Sequence, residues 1–203
     1  VYKRTLQDMA KRNVPTTPII IESALPAALD SAIKDFAMQY PDSIYYDAER
    51  GVVKWKSDLL FALGSDVVKQ SAMDSLRAFA RIMNSPAASG FDVFVVGHTD
   101  NTRIGKPQTR EKHPTNWHLS AHRAIAVGRA LRQQSVPAES IGVMGFGEYR
   151  PIASNGSASG RSQNRRVEIY VLPKGTIGGM PQLSSASSSN SMAVQTPANT
   201  NRG

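Results

Sequence analysis

The residues best equipped for chemistry gather between Val95 and Ala124. There an apolar run ends in Gly97-His98-Thr99-Asp100, and a later segment carries Asn116, His118, Ser120, His122 and Arg123. Three histidines, His98, His118 and His122, with one aspartate could hold zinc. However, His118-Leu-Ser-Ala-His122 lacks the glutamate that a zinc hydrolase uses as general base, so no functional metal and no cofactor are expected. Ser120 has no nucleophile elbow around it, which argues against a serine hydrolase. Gly145-Phe-Gly147 fails as a dinucleotide fingerprint, because Arg150 stands where a third glycine belongs. Polar groups just past a strand's C-terminal end are where open sheets present ligand sites. Arg123 lies about one helical turn beyond Leu119 and can face back towards that end.

Elements able to position these groups are readable from periodicity. Leu25, Leu29, Ala32, Ile33 and Phe36 recur at helical spacing, with Pro26 tolerable only in a first turn. Val53 and Trp55 alternate with Lys54 and Lys56 in a half-buried strand. Met73, Leu76, Ala80 and Met83 mark a helix that ends before Pro86. Phe91–Val96 is short and nearly all apolar, as a strand buried on both faces would be. Leu119, Val127, Ala130 and Leu131 mark another helix, Ile141–Met144 a short strand, and Val167, Ile169 and Val171 a last strand. This order implies a sheet with helices packed on it, either α+β or α/β.

Composition limits the alternatives. The 203 residues include 24 Lys+Arg, 16 Asp+Glu and no cysteine, for a net charge of +8. Disulfides, thiolate nucleophiles and Cys-ligated zinc are therefore excluded. The positive charge leaves nucleic acid, anionic lipid and anionic wall polymer as partners. Residues 16–100 are net acidic. The basic residues collect in the N-terminal lead-in, in the loop 101–115, and around Arg123 and Arg165. They lack interleaved aromatics or a recognisable nucleic-acid module, so no nucleic acid is expected. No apolar run reaches the length of a membrane-spanning helix.

Five motifs stand in order: Leu59-Leu-Phe61-Ala-Leu63-Gly64-Ser65, Gly97–Asp100, Asn116-Trp-His-Leu119-Ser120-Ala-His-Arg123-Ala124, Gly145-Phe-Gly147 with Pro151, and Asn164-Arg165-Arg166-Val-Glu-Ile169. Together they resemble the OmpA-like peptidoglycan-binding domain. The resemblance implies an α+β fold, a two-layer sandwich whose mixed sheet runs β/α/β/α/β-β under packed helices. It also implies non-catalytic binding of peptidoglycan. Diaminopimelate in the stem peptide ends in a zwitterion, and by resemblance Asp100 accepts its ammonium while Arg123 grips its carboxylate. Arginine suits that task because its planar fork binds carboxylates bidentately. Asn116 and Arg165 match ligand-contacting positions, Leu63 and Gly64 match a wall that contacts ligand through its backbone, and Thr99 orders the loop.

Thr99-Asp100-Asn101 and the pair Asn116-Trp117 are most similar to the MotB branch, the flagellar stator anchors. That likeness implies a periplasmic homodimer tethered to the inner membrane by an upstream transmembrane helix and working with a MotA-like membrane partner. An OmpA- or Pal-like outer-membrane anchor is the alternative. Expected boundaries are a basic lead-in over 1–22, an amphipathic helix and connector over 23–49, the binding domain over 50–174, and a disordered Ser/Asn/Thr-rich tail over 175–203. The basic loop with Arg103, Lys106, Arg110 and Lys112 is longer than in the shortest relatives. Trp55, Phe61 and Phe146 are expected to pack and Arg166 to be structural, while Asn164 stands equally as a turn residue capping the last strand or as part of the site.

Overall fold

A computed structural model describes residues 25–177. The basic lead-in over 1–22 and nearly all of the tail over 175–203 lie outside the described residues. The chain enters through helix α1 (Ala27–Gln39), then the hairpin β1 (Ile44–Asp47) and β2 (Val52–Lys56), and a short helical turn α2 (Ser57–Leu60). Helix α3 (Met73–Met83), β3 (Phe91–Gly97), a short α4 (Pro107–Lys112) and the long α5 (Asn116–Gln133) follow. Then come β4 (Ile141–Gly145), α6 (Ala158–Asn164) and β5 (Arg166–Pro173). The sheet has the order β1-β2-β5-β3-β4. Among the described residues only β3 and β4 pair in parallel, with α5 as the crossover between them, and the other pairs are antiparallel. The fold is α+β with a mixed sheet.

Alternation decides which face is dry. Val53 and Trp55 of β2, Val93 and Val95 of β3, and Val167, Ile169 and Val171 of β5 point into one core. Leu29, Ile33 and Phe36 of α1 meet them there, with Leu76, Phe79 and Ala80 of α3 and Val127 and Leu131 of α5. Phe36, Trp55 and Phe79 form a mutual aromatic cluster with centroids 5.4–5.8 Å apart. The helix seen in the N-terminal periodicity is thus part of this core, and so is Ile44 of the edge strand β1. The reading of β3 as buried on both faces is corrected. Phe94 is half-buried on the far face, where it covers Gly142 of β4 so closely that a Cβ there would meet its ring at 2.3 Å.

Two glycines set the site's depth. Gly97 and Gly145 are register partners at the ends of the parallel pair. A Cβ on Gly97 would lie 2.0 Å from the Ser120 carbonyl oxygen, and one on Gly145 would lie 2.5 Å from the Ala121 nitrogen. Only glycine lets the first turns of α5 lie this close to the strand ends. Ser120 completes the join: its hydroxyl donates to the Trp117 carbonyl at 2.9 Å and accepts from the Gly147 amide at 2.9 Å. The hydroxyl is fully used in structure.

Candidate functional site

The seven residues singled out in the sequence, Leu63, Gly64, Thr99, Asp100, Asn116, Arg123 and Arg165, all line one cavity of about 560 Å³. Its floor is the end of β3. The Thr99 amide donates to the Gly147 carbonyl at 2.9 Å and the His98 amide to the Arg166 carbonyl at 3.0 Å, which fixes the chain just past the strand. The Thr99 hydroxyl is buried and has no partner among the described residues.

Asp100 is almost fully buried. One carboxylate oxygen accepts the Thr102 amide at 2.8 Å, and the other accepts Arg165 Nη1 at 2.6 Å. Burial opposes the charge, but the hydrogen bonds from Arg165 and Thr102 outweigh it, so the carboxyl lies below its ordinary range. A carboxylate has about four lone-pair positions, so room remains for a further donor. Arg165 uses all three of its nitrogens. Its Nε and Nη2 clamp Asp58 at 2.8 and 2.5 Å while Nη1 holds Asp100. The Asp58 hydrogen bonds come first among the causes that raise its pKa. Two carboxylates share this one guanidinium, which leaves the cluster with a net negative charge.

Arg123 is the counterpart. It is only 3 % exposed, yet it makes no ion pair with a described carboxylate. Its Nε donates to the Ser65 carbonyl at 2.9 Å and Nη2 to the Ala62 carbonyl at 3.3 Å, and its guanidinium carbon sits 5.1 Å from the centre of the Phe61 ring. Burial pushes its pKa down to about 10, so it remains a cation at neutral pH. Nη1 makes no hydrogen bond among the described residues, and guanidinium has five N–H donors. The carbonyls it holds bracket a turn: the Ser65 amide donates to the Ala62 carbonyl at 3.0 Å, and Gly64 takes φ +71°. A left-handed third residue in such a turn calls for glycine. Leu63 projects from this turn, strongly exposed at the cavity's lip.

Asn116 opens α5, and its amide nitrogen donates inward, to Glu148 at 2.7 Å and to the Thr102 and Asp100 carbonyls at 3.1 and 3.3 Å. It ties loop to loop with its nitrogen and has only its oxygen left for a ligand. The basic loop 101–115, whose charges left open either a reach towards glycan or crosslinked peptide or mere solvation, contains α4 and contributes Ile104 and Pro107 to the cavity. Sequence reasoning missed Asp58 and the lining residue Arg161. Asp58 stands 107 positions from Arg165 and carries no motif. Around Phe61 the chain makes a single bridge to Val68 after the α2 turn. Asn164 is buried and organises 152–155: it accepts from the Ile152 and Ala153 amides and donates to Ala153 and Asn155. The proposed histidine set does not assemble. His98 is buried beside Glu168, and His118 contacts Thr115.

Residues 60–165 match the family model described as OmpA family. The chain belongs to the OmpA family. Among curated proteins it is 29% identical over 150 residues to Motility protein B of Bacillus subtilis, covering 72% of this chain and 54% of that protein. The chain thus spans about half the length of that relative. Among solved structures, the periplasmic domain of Helicobacter pylori MotB is 30% identical with a TM-score of 0.53, over 61% of this chain and 76% of that one. The cell wall anchor of the T6SS from Pseudomonas aeruginosa is 31% identical with a TM-score of 0.62, over 72% and 97%. Among the described residues, no helix is long and apolar enough to cross a membrane.

Proposed function

We propose that this OmpA-family domain binds peptidoglycan without catalysis and anchors an envelope assembly to the cell wall, with the zwitterionic end of diaminopimelate as the recognised group. The observation that carries this reading is Arg123. A buried cation without a carboxylate partner is costly, and such groups are retained when a ligand completes them. In the same cavity lie Asp100 and Arg165, and Asp58 behind them clamps Arg165, so that this three-residue cluster is net negative. A ligand bearing one carboxylate and one ammonium satisfies both. Arg123 takes the carboxylate on its free N–H groups, Asp100 takes the ammonium on its remaining lone pairs, and the Thr99 hydroxyl gains a partner. Arg165 acts here as the residue that orients Asp100. The turn Ala62–Ser65 supplies backbone wall around Leu63 and Gly64.

The assembly we favour is a MotB-type flagellar stator in the periplasm. It would be homodimeric, joined to a MotA-like membrane partner and tethered to the inner membrane through an upstream helix. Similarity to Motility protein B and to the MotB periplasmic domain supports this. Similarity to a secretion-system wall anchor supports the broader statement, that the module holds an envelope assembly to the wall. Co-sedimentation with purified, protein-free sacculi tests binding. Arg123→Glu should abolish it, and free diaminopimelate should compete it away from the unmodified protein. Retained co-sedimentation of Arg123→Glu together with no competition would overturn the site. Motility in a stator-deletion strain then separates the motor from other anchors.

A further inference from the structure

Behind the turn that walls the cavity, three side chains with metal-binding atoms converge from three segments. His113 caps the C-terminus of α4, with its amide donating to the Thr109 carbonyl at 2.8 Å, and its ring is buried. His122 reaches it from α5, and their Nδ1 atoms are 2.8 Å apart. Asp66, just past the Ala62–Ser65 turn, places Oδ1 3.5 Å from His113 Nε2. One donor atom from each of the three lies within 4.8 Å of the other two.

We propose that Asp66, His113 and His122 form a binding site for a divalent transition-metal ion of the zinc class, with water completing the shell. Two imidazoles and one carboxylate are a donor set suited to zinc, cobalt or nickel, whereas calcium and magnesium prefer oxygen alone. A contact of 2.8 Å between two ring nitrogens needs a proton between them, and the ion takes that proton's place. Nitrogens on a tetrahedral zinc stand about 3.3 Å apart at ordinary bond lengths, so the rings need to part by about half an ångström, and the half-exposed Asp66 side chain, which now contacts His113 Nε2, must swing towards Nδ1. An ion has a way in, because Asp66 and His122 line a surface cavity with Val67, Gln70 and Met73. His122 directly precedes Arg123, and Asp66 directly follows Ser65, whose carbonyl Arg123 holds. A bound ion therefore ties the turn to α5. The site stands on its own donors and does not depend on the wall-binding reading.

The test uses the untagged full chain, stripped with chelator. Calorimetric titration with zinc chloride should show one saturable site per chain with micromolar or tighter affinity, and cobalt should give the absorption of a low-symmetry tetrahedral site. His122→Ala and Asp66→Asn should each weaken zinc binding at least tenfold, while His118→Ala should leave it unchanged. The proposal is overturned if zinc shows no saturable uptake or if His122→Ala binds as well as the unmodified chain. Loss of binding in His118→Ala would also overturn it, since that would place the ion on the pair along α5. The cobalt spectrum of the unmodified chain keeps the test meaningful if a variant folds poorly.

Discussion

Arg166 at the start of β5 and Arg123 on α5 are buried to a similar degree, at 6 % and 3 % exposed, and their surroundings could hardly differ more. Arg166 Nε donates to Glu168 at 2.8 Å, and its other nitrogens donate to the Asn164 and Arg150 carbonyls at 3.3 Å. Glu168 in turn accepts the Tyr170 hydroxyl at 2.7 Å and lies 3.5 Å from His98 Nε2. Burial alone would raise the Glu168 carboxyl, but the approach of His98 and the hydrogen bonds from Arg166 and Tyr170 hold it far below its ordinary range. That network is closed, with charge matched by charge. Arg123 has only two backbone carbonyls as hydrogen-bond partners among the described residues, and Asp58, Asp100 and Asp66 act on its charge from a distance, without an ion pair. Buried arginines that are complete in the free protein build it, and one left incomplete points to what the protein binds.

The largest expected effect breaks the closed network. Glu168→Ala strands the buried Arg166 charge and should lower unfolding free energy by about 3–5 kcal/mol, read by urea denaturation. Sacculus binding should persist wherever the variant is folded. A stable Glu168→Ala that no longer binds would erase the distinction between the two regions. Next in size is Arg123→Gln. It removes two neutral-acceptor hydrogen bonds but also the cost of burying an unpaired cation, so stability should move by only about 1 kcal/mol. Binding should fall by about 2–5 kcal/mol, a loss of tenfold or more. A large stability loss with intact binding would make Arg123 a second Arg166.

How much of this was legible in the sequence follows the range of the interactions. The core strands and α1, α3 and α5 are local patterns, and they formed where periodicity placed them. The edge strand β1 was not foreseen, because Ile44-Tyr-Tyr-Asp47 is short and only Ile44 is fully buried, so it has no clean alternation. Helix α4 was not foreseen either: none of its residues is buried, so no apolar period exists to read. Asp100, Arg123 and Arg165 stood out through motif resemblance. That Arg165 is already clamped, and by Asp58, depends on topology that joins positions far apart in sequence. His113 lies only nine positions from His122, but the two meet across the join between α4 and α5, which no periodicity announces.

Acid should test both regions together with a smaller effect. The folded-state pKa values of His98 and His113 are depressed, chiefly by burial. The unfolded chain therefore takes up protons that the folded one refuses as pH falls below about 6.5, and stability declines from there. For Asp58, Asp100 and Glu168 the folded values are also depressed, so their stabilisation is present above the unfolded value of about 4 and is lost as pH falls through the folded one. Melting temperature should thus fall in two stages on acidification. A flat profile between about pH 7 and pH 5 would show that neither buried histidine contributes.

The smallest effect is expected at the cavity's lip. Gly64→Ala asks an L-residue to hold φ +71° and brings a Cβ to 3.2 Å from Thr109 on α4. The left-handed conformation costs about 1 kcal/mol, and the Thr109 side chain must give by a few tenths of an ångström. The Ala62 and Ser65 carbonyls that anchor Arg123 lie on either side of this residue, so strain there shifts the guanidinium rather than removing it. Stability should drop by about 1 kcal/mol, and sacculus affinity by only a few-fold, well short of the loss from Arg123→Gln. Equal losses from the two variants would show that the turn, and not the uncompensated charge, sets affinity. The contrast between the open and the closed arginine would then lose its functional meaning.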